Sequence, residues 1–280
     1  MSDTVIAKND TKKVFRKSGT CSRTFFHLLN REFENIKEAE ERAADPLAGG
    51  IMQKGKQCGM LWGATLAVGA EAYKRSKDRD EAIGLAIKAS QHLVASFTKR
   101  TNTVNCRDIT GCNLDSFYGM SKFMLKTTLK GMDNSTCFNL AEKWAPEAIE
   151  AAKKGLANDL KNLPKQTISC ASEVVKKLGA TDEEMVTVAG FAGGLGLSGN
   201  ACGALSAAIW TQSLAWSKEN PGKSAYKNKN AKKTLKSFKA ETNNEMNCKK
   251  ICGEHFKTLE EHTDFIKNGG CEKLIDALNW

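Results

Sequence analysis

The chain has 280 residues, 41% hydrophobic and 26% charged, with a formal net charge of +10 and only four prolines. That balance excludes a disordered chain and favours helical cores, because proline is the strongest helix breaker. No apolar run reaches the roughly 18 to 20 residues of a membrane span, and no zinc-finger spacing or aromatic-rich basic sheet signature appears, so neither a membrane span nor a nucleic-acid partner is expected.

In chain order, Met1–Thr20 is polar and lacks the apolar stretch of a secretory signal, which sets the expectation of a cytoplasmic protein. Cys21 opens a helical stretch, CSRTFFHLLNREF. Leu47–Ala64 is a Gly-rich turn running into an Ala-, Leu- and Trp-rich helix over Cys58–Lys74. Glu81–Thr98 sets Ile83, Ile87, Leu93 and Val94 on one helical stripe. Cys106 follows in CRDITG, and Asp133–Ala152 is a capped helix carrying Cys137. Gly155–Gln166, with Pro164, reads as the seam between a first domain, 1–160, and a second, 161–280.

Beyond the seam, Cys170 opens CASEVVKKLG, and Thr181 with Glu184 forms a capping-box signature. Phe191–Ala208 is a second Gly-rich turn, leading into a helix over Cys202–Trp216. Gly222–Ala240 holds seven lysines and no acid, which reads as a solvated helix face, with steering of an acidic partner as the functional alternative. Cys248 lies in CKKICG and Cys271 in CEKLIDAL.

The two Gly-rich turns are copies of one another. LAGGIMQKGKQCGMLWGA and FAGGLGLSGNACGALSAA share eight of eighteen residues at a constant offset, including Gly49, Gly50, Gly55, Cys58 and Gly59 against Gly193, Gly194, Gly199, Cys202 and Gly203. Cys21, Cys106 and Cys137 match Cys170, Cys248 and Cys271 in order. The expected fold is therefore all-α, with two tandem homologous helical domains in a pseudo-two-fold relation. Gly194–Gly199 also fits G-x-G-x-x-G, but Met52 replaces the middle glycine in the first copy and no βαβ alternation surrounds it, so a tight turn is expected instead of a dinucleotide site.

Ten cysteines in a chain of this kind read as metal ligands or redox thiols more readily than as structural disulfides, the competing reading for any single one being a buried small hydrophobe. Cys58 and Cys202 fall at helix N-termini, where unpaired N–H groups favour a thiolate; without metal they would be the reactive thiolates.

This arrangement resembles the C_GCAxxG_C_C redox-active family, once per half. The resemblance implies Cys21, Cys58, Cys106 and Cys137 as one ligand set and Cys170, Cys202, Cys248 and Cys271 as the other. Two departures are Met60 for the motif's Ala and Ala207 for its last Gly. Some relatives are split-Soret cytochromes, but no C-x-x-C-H occurs here, so covalent haem is not implied. The leading expectation is an iron–sulfur cluster in each half, used in electron transfer with a redox partner protein. Metal-free thiol–disulfide chemistry and structural zinc are the alternatives, a homodimer is open, and Cys112 and Cys252 are extra thiols without assigned roles. His27, His92, His255 and His262 do not recur between copies and read as surface or packing residues.

Overall fold

The computed structural model describes residues 9–157, 163–164 and 166–279, so the expected seam at Gly155–Gln166 lies partly outside the described residues. Among the described residues the chain is all helical, with two isolated β-bridges and no strand. The first half contains α1 (Thr11–Ser18), α2 (Cys21–Glu32), α3 (Glu38–Ala43), α4 (Gly59–Arg75), α5 (Arg79–Thr101), α6 (Cys106–Thr110), α7 (Phe117–Lys130) and α8 (Thr136–Leu156). The second contains α9 (Cys170–Lys177), α10 (Asp182–Ala189), α11 (Gly203–Glu219), α12 (Lys229–Glu241), α13 (Cys248–Cys252), α14 (Leu259–Lys267) and α15 (Glu272–Ala277). From α2 onward the two halves run through the same order of elements.

Local chemistry repeats as well. Thr20 caps α2 by accepting from Arg23 N–H, and Ser169 caps α9 by accepting from Ser172 N–H, so a hydroxyl stands immediately before the first cysteine of each set. Thr181 and Glu184 form the expected capping box at α10. The lysine-rich segment becomes α12, which buries Ala231, Thr234, Leu235 and Phe238 and leaves Lys229, Lys232 and Lys236 outside.

Each Gly-rich segment folds as a left-handed turn. Residues 49–53 and 193–197 all have φ between +49° and +82°, including the non-glycines Ile51, Met52, Gln53, Leu195 and Leu197. The backbone bonding is the same in both: Ile51 N–H to Leu47 carbonyl, Met52 to Pro46 and Gly55 to Gly49 correspond to Leu195 to Phe191, Gly196 to Gly190 and Gly199 to Gly193. A left-handed conformation costs an L-residue on the order of 1–2 kcal/mol. Glycines remove that cost at part of the turn, and burial of Ile51, Leu195 and Leu197 offsets it elsewhere. The G-x-G-x-x-G pattern of the second copy is thus the glycine set of a left-handed turn. Its middle residue, Gly196, lies against the backbone of Ser90 and Gln91 on α5, where a Cβ would meet Gln91 N at 2.9 Å.

The halves exchange elements. α3 packs on α11 of the second half, and α10 packs on α4 of the first. Trp210 of α11 donates its indole N–H to Glu40 carbonyl (3.2 Å), and Trp62 of α4 meets Phe191 edge-on with ring centroids 4.8 Å apart. Gly69 lets α4 approach the Thr187 carbonyl of α10, 2.3 Å from where a Cβ would stand. Asp45 is buried beside the first left-handed turn and accepts from Thr20 (2.8 Å) in its own half and Ser224 (2.7 Å) in the other. One hydrophobic core consequently runs through both halves, with Trp62, Trp144 and Trp210 fully buried in it.

Two cysteine nests as candidate functional site

The left-handed turns end on the cysteines. After each turn, the chain makes one antiparallel bridge, Gln57 with Asn105 and Ala201 with Asn247. Cys58 N–H donates to Val104 carbonyl (2.7 Å) while Cys106 N–H donates to Lys56 carbonyl (2.9 Å). In the second half Cys202 N–H donates to Met246 carbonyl (2.8 Å) and Cys248 N–H to Asn200 carbonyl. Backbone alone therefore holds the second and third cysteines of each set side by side. Cys58 and Cys202 are the N-cap residues of α4 and α11, as their spacing predicts.

Close approach brings in the first cysteine. A Cβ on Gly59 would stand 2.5 Å from Cys21 Sγ, so the glycine after Cys58 is what admits the Cys21 thiol. In the second half Cys170, Cys202, Cys248, Cys252 and Cys271 line one small cavity of about 10 Å³ together with His262. Cys252 Sγ lies 3.8 Å from Cys248 Sγ and 3.5 Å from Cys271 Sγ. The thiol without an assigned role thus sits in the middle of the second nest. It stands four residues after Cys248 on α13, a spacing that puts both on one helix face and that was the signal available in the sequence. Cys112 is likewise buried against Cys106, in a small satellite cluster with Leu114.

The first nest is open where the second is closed. Cys21, Cys106 and Cys137 face a cavity of about 450 Å³ roofed by α7. Tyr226 reaches into it from the second half and donates its hydroxyl to Ala48 carbonyl (3.0 Å). Nothing in the sequence marks Tyr226, because its role arises only from the exchange between halves.

Helix position favours a thiolate at Cys58 and Cys202 in the absence of metal, but their surroundings act the other way and hold both thiols above the ordinary range. Cys58 donates its S–H to Cys21, and burial adds to the effect; for Cys202, burial is the first cause and the neighbouring Cys170 the second. An N-cap position does not offset burial when the nearest groups are other thiols and no cation. Cys21 is the group moved downward, first by the Cys58 thiol it accepts from and then by the N–H groups of Gly49 and Ser22. Cys137 is pushed up to about 12 by burial. Replacing Cys58 by Ala removes the donor, so alkylation of Cys21 by iodoacetamide should slow several-fold at pH 7.5 and its pH profile should move upward. An unchanged profile, followed by mass spectrometry, would show that Cys58 does not set the Cys21 thiolate.

The N–H groups aimed at sulfur repeat between halves. Cys21 accepts from Gly49 and Ser22, and Cys170 from Gly193 and Ala171, at matching positions. Cys58 accepts from Met60, and Cys202 from Leu205 and Ala204. The small cavity inside the second nest is lined by no Lys or Arg, whereas Lys250 and Lys273 stand at the cleft outside it. Of the histidines, His255 meets the Leu197 carbonyl of the left-handed turn at 3.1 Å, and His27 pairs with Glu41 at 2.9 Å. His262 is a packing residue, buried to 1% exposure, that meets Phe256 edge-on and lines the same small cavity as the cysteines.

Fold and site define a class: an all-α, internally duplicated protein with a cysteine nest in each half. The sequence profile of the family described as "Putative redox-active protein (C_GCAxxG_C_C)" matches residues 20–150 and again 167–279, and the chain belongs to that family. No curated protein and no solved structure matches the chain. No helix among the described residues is long and apolar enough to cross a membrane.

Proposed function

We propose that each repeat holds an iron–sulfur-type centre for electron transfer, through Cys21, Cys58, Cys106 and Cys137 in the first and Cys170, Cys202, Cys248 and Cys271 in the second. The observation that supports this is the set of backbone N–H groups directed at sulfur, which repeats between the two nests. Such donors stabilise thiolate, and hydrogen bonds to sulfur are among the levers that tune cluster potentials. Buried thiolates repel one another, so a polynuclear cation is the natural counter-charge.

Four thiols per repeat are the ligand number of an iron–sulfur cluster. Among the described residues no group of three or more His, Cys, Asp or Glu side chains is placed, as it stands, to hold a metal ion, which favours neither a cluster nor a lone zinc ion. Bound there, a cluster would supply one-electron transfer. The protein's own contribution is to deliver four thiols from four separate elements, to aim N–H groups at them, and to exclude water with the surrounding core.

Metal-free dithiol chemistry is favoured by one specific observation in the second half. Cys252 and Cys271 are in contact, half-buried, and reach a polar cleft of about 520 Å³ that Glu241 and Thr242, at the end of α12, also line. The closed nest there holds room for about one water and none for a cluster as it stands. The lysines of α12 leading to that cleft suit an acidic redox partner.

Anaerobic purification followed by iron and sulfide analysis decides between these. The cluster reading expects coloured protein with iron and acid-labile sulfide, and Cys202→Ser should remove about half of both. Iron-free protein whose free-thiol count falls on mild oxidation, with Cys252 and Cys271 recovered as a linked peptide, would replace it by the dithiol reading.

A further inference from the structure

The first nest opens onto an apolar cavity, whereas the second is closed over its thiols and meets only a polar cleft at its outer edge, although both nests are built on the same backbone. At about 450 Å³ the apolar cavity falls within the range of small-molecule sites, whereas the second nest encloses about 10 Å³. The difference comes from α7. That helix is apolar on more than one side, yet Gly119 is its only buried residue; Phe117 is 90% exposed and Leu129 78%. It is anchored at its start, where Ser116 caps it and Gly119 approaches the Asn113 carbonyl so closely that a Cβ would stand 2.0 Å away. Beyond that anchor it forms a roof over the thiols, facing the cavity with Phe123 and Met124.

The lining specifies the chemistry of an occupant. One wall is the stacked pair Phe15 and Phe138, ring centroids 4.3 Å apart and 6° from parallel. Aromatic and methionine walls favour a flat π-system through ring stacking and sulfur–ring contacts. The charged side chain at the cavity, Arg16, is paired with Asp133, which leaves no free charge for an ionic ligand. Of the hydroxyls at the cavity, Thr110 and Thr127 give their protons to carbonyls of their own helices, and Tyr226, which reaches in from the second half, gives its proton to Ala48 carbonyl. Its oxygen can therefore only accept, so the complementary ligand group donates.

The geometry points to this cavity as a binding site for a small, uncharged aromatic molecule carrying an O–H or N–H donor, seated against the thiols of the first repeat. It stands whether those thiols hold iron or one another, so iron analysis and ligand binding fail separately.

1-Aminoanthracene, an uncharged ring system with an N–H donor, tests it by fluorescence titration of the full chain. One saturable site with blue-shifted emission is expected. Met124→Trp fills the cavity from a partly exposed position and should weaken binding at least tenfold without changing iron content. Tyr226→Phe should weaken 1-aminoanthracene about five-fold, in the range of one hydrogen bond, and leave donor-free anthracene unaffected. In reduced, iron-free protein, bound probe should also slow labelling of Cys137 by monobromobimane. Absence of saturable binding would overturn the site. So would binding that survives Met124→Trp but is lost in Leu129→Ser, which would place the probe on the outer face of α7, or a Tyr226→Phe effect equal for both probes.

Discussion

Acidification from pH 7 to pH 4 should strip roughly 3 kcal/mol of stability from the protein through His262 alone, taking about 1.4 kcal/mol per pKa unit. Its Nδ1 lies 3.1 Å from the Ile168 carbonyl, which can only accept, so Nδ1 carries the proton of a neutral ring. Burial holds the folded-state pKa down at about 4, against an ordinary value of 6.5. Above pH 6.5 the ring is neutral in both states and contributes nothing to the pH dependence. Between 6.5 and 4 the unfolded chain takes up a proton that the folded chain refuses, and stability falls as pH falls. Denaturant titrations at pH 7, 5.5 and 4 measure the loss, and His262→Gln should flatten the slope over this window. Equal slopes in the two proteins would show that the ring is not held neutral.

A single methyl group at Gly63 should be nearly as damaging. A Cβ there would stand 1.9 Å from the Ser22 carbonyl and 2.9 Å from Phe26 N, both backbone atoms of α2. Neither can swing aside as a side-chain tip could. Gly63→Ala must therefore push α2 off α4 at the residue next to Cys21, at about 3 kcal/mol on the scale of overpacked cores. That corresponds to a fall in Tm of roughly 6–12 °C. The second half carries Ala207 at the matching position, fully buried, and Ala207→Gly should cost only about 1 kcal/mol, the ordinary helix penalty for glycine. Calorimetry on the two variants compares them directly. Equal effects would mean that the close approach of α2 and α4 is not what Gly63 provides.

That comparison also shows where the sequence was readable. The departures Met60 and Ala207 looked like small packing changes; Gly63, which keeps the motif's glycine, turns out to be the position without slack. The duplication, the helix-start cysteines and the helices α4, α5, α8 and α11 were legible because Gly, Cys and apolar period repeat in register. The left-handed turns were not, since a positive φ at Ile51 or Leu195 leaves no residue signature and arises from the bonding of the whole segment. Cys252 was visible as a residue but not as a member of the nest, because α13 and α15 had to be placed first. Tyr226 and the roof α7 depend on contacts between distant segments, for which a single sequence offers no period to read. The opposing influences on Cys58 and Cys202 divide in the same way: helix position is local and legible, whereas burial among other thiols, which raises both, is not.

The exchange of α3 and α10 between halves carries a consequence for how such a molecule can be divided. In effect the chain is a dimer fused into one polypeptide, each repeat lending a helix to cover its sibling. Cut apart, the first repeat would bare the face of α4 that α10 covers, and the second the face of α11 that α3 covers. A lone repeat would regain its cover by pairing with a second copy of itself, in the same reciprocal manner. Two repeats produced as separate chains and mixed should therefore find each other, whereas either one alone should self-associate or aggregate.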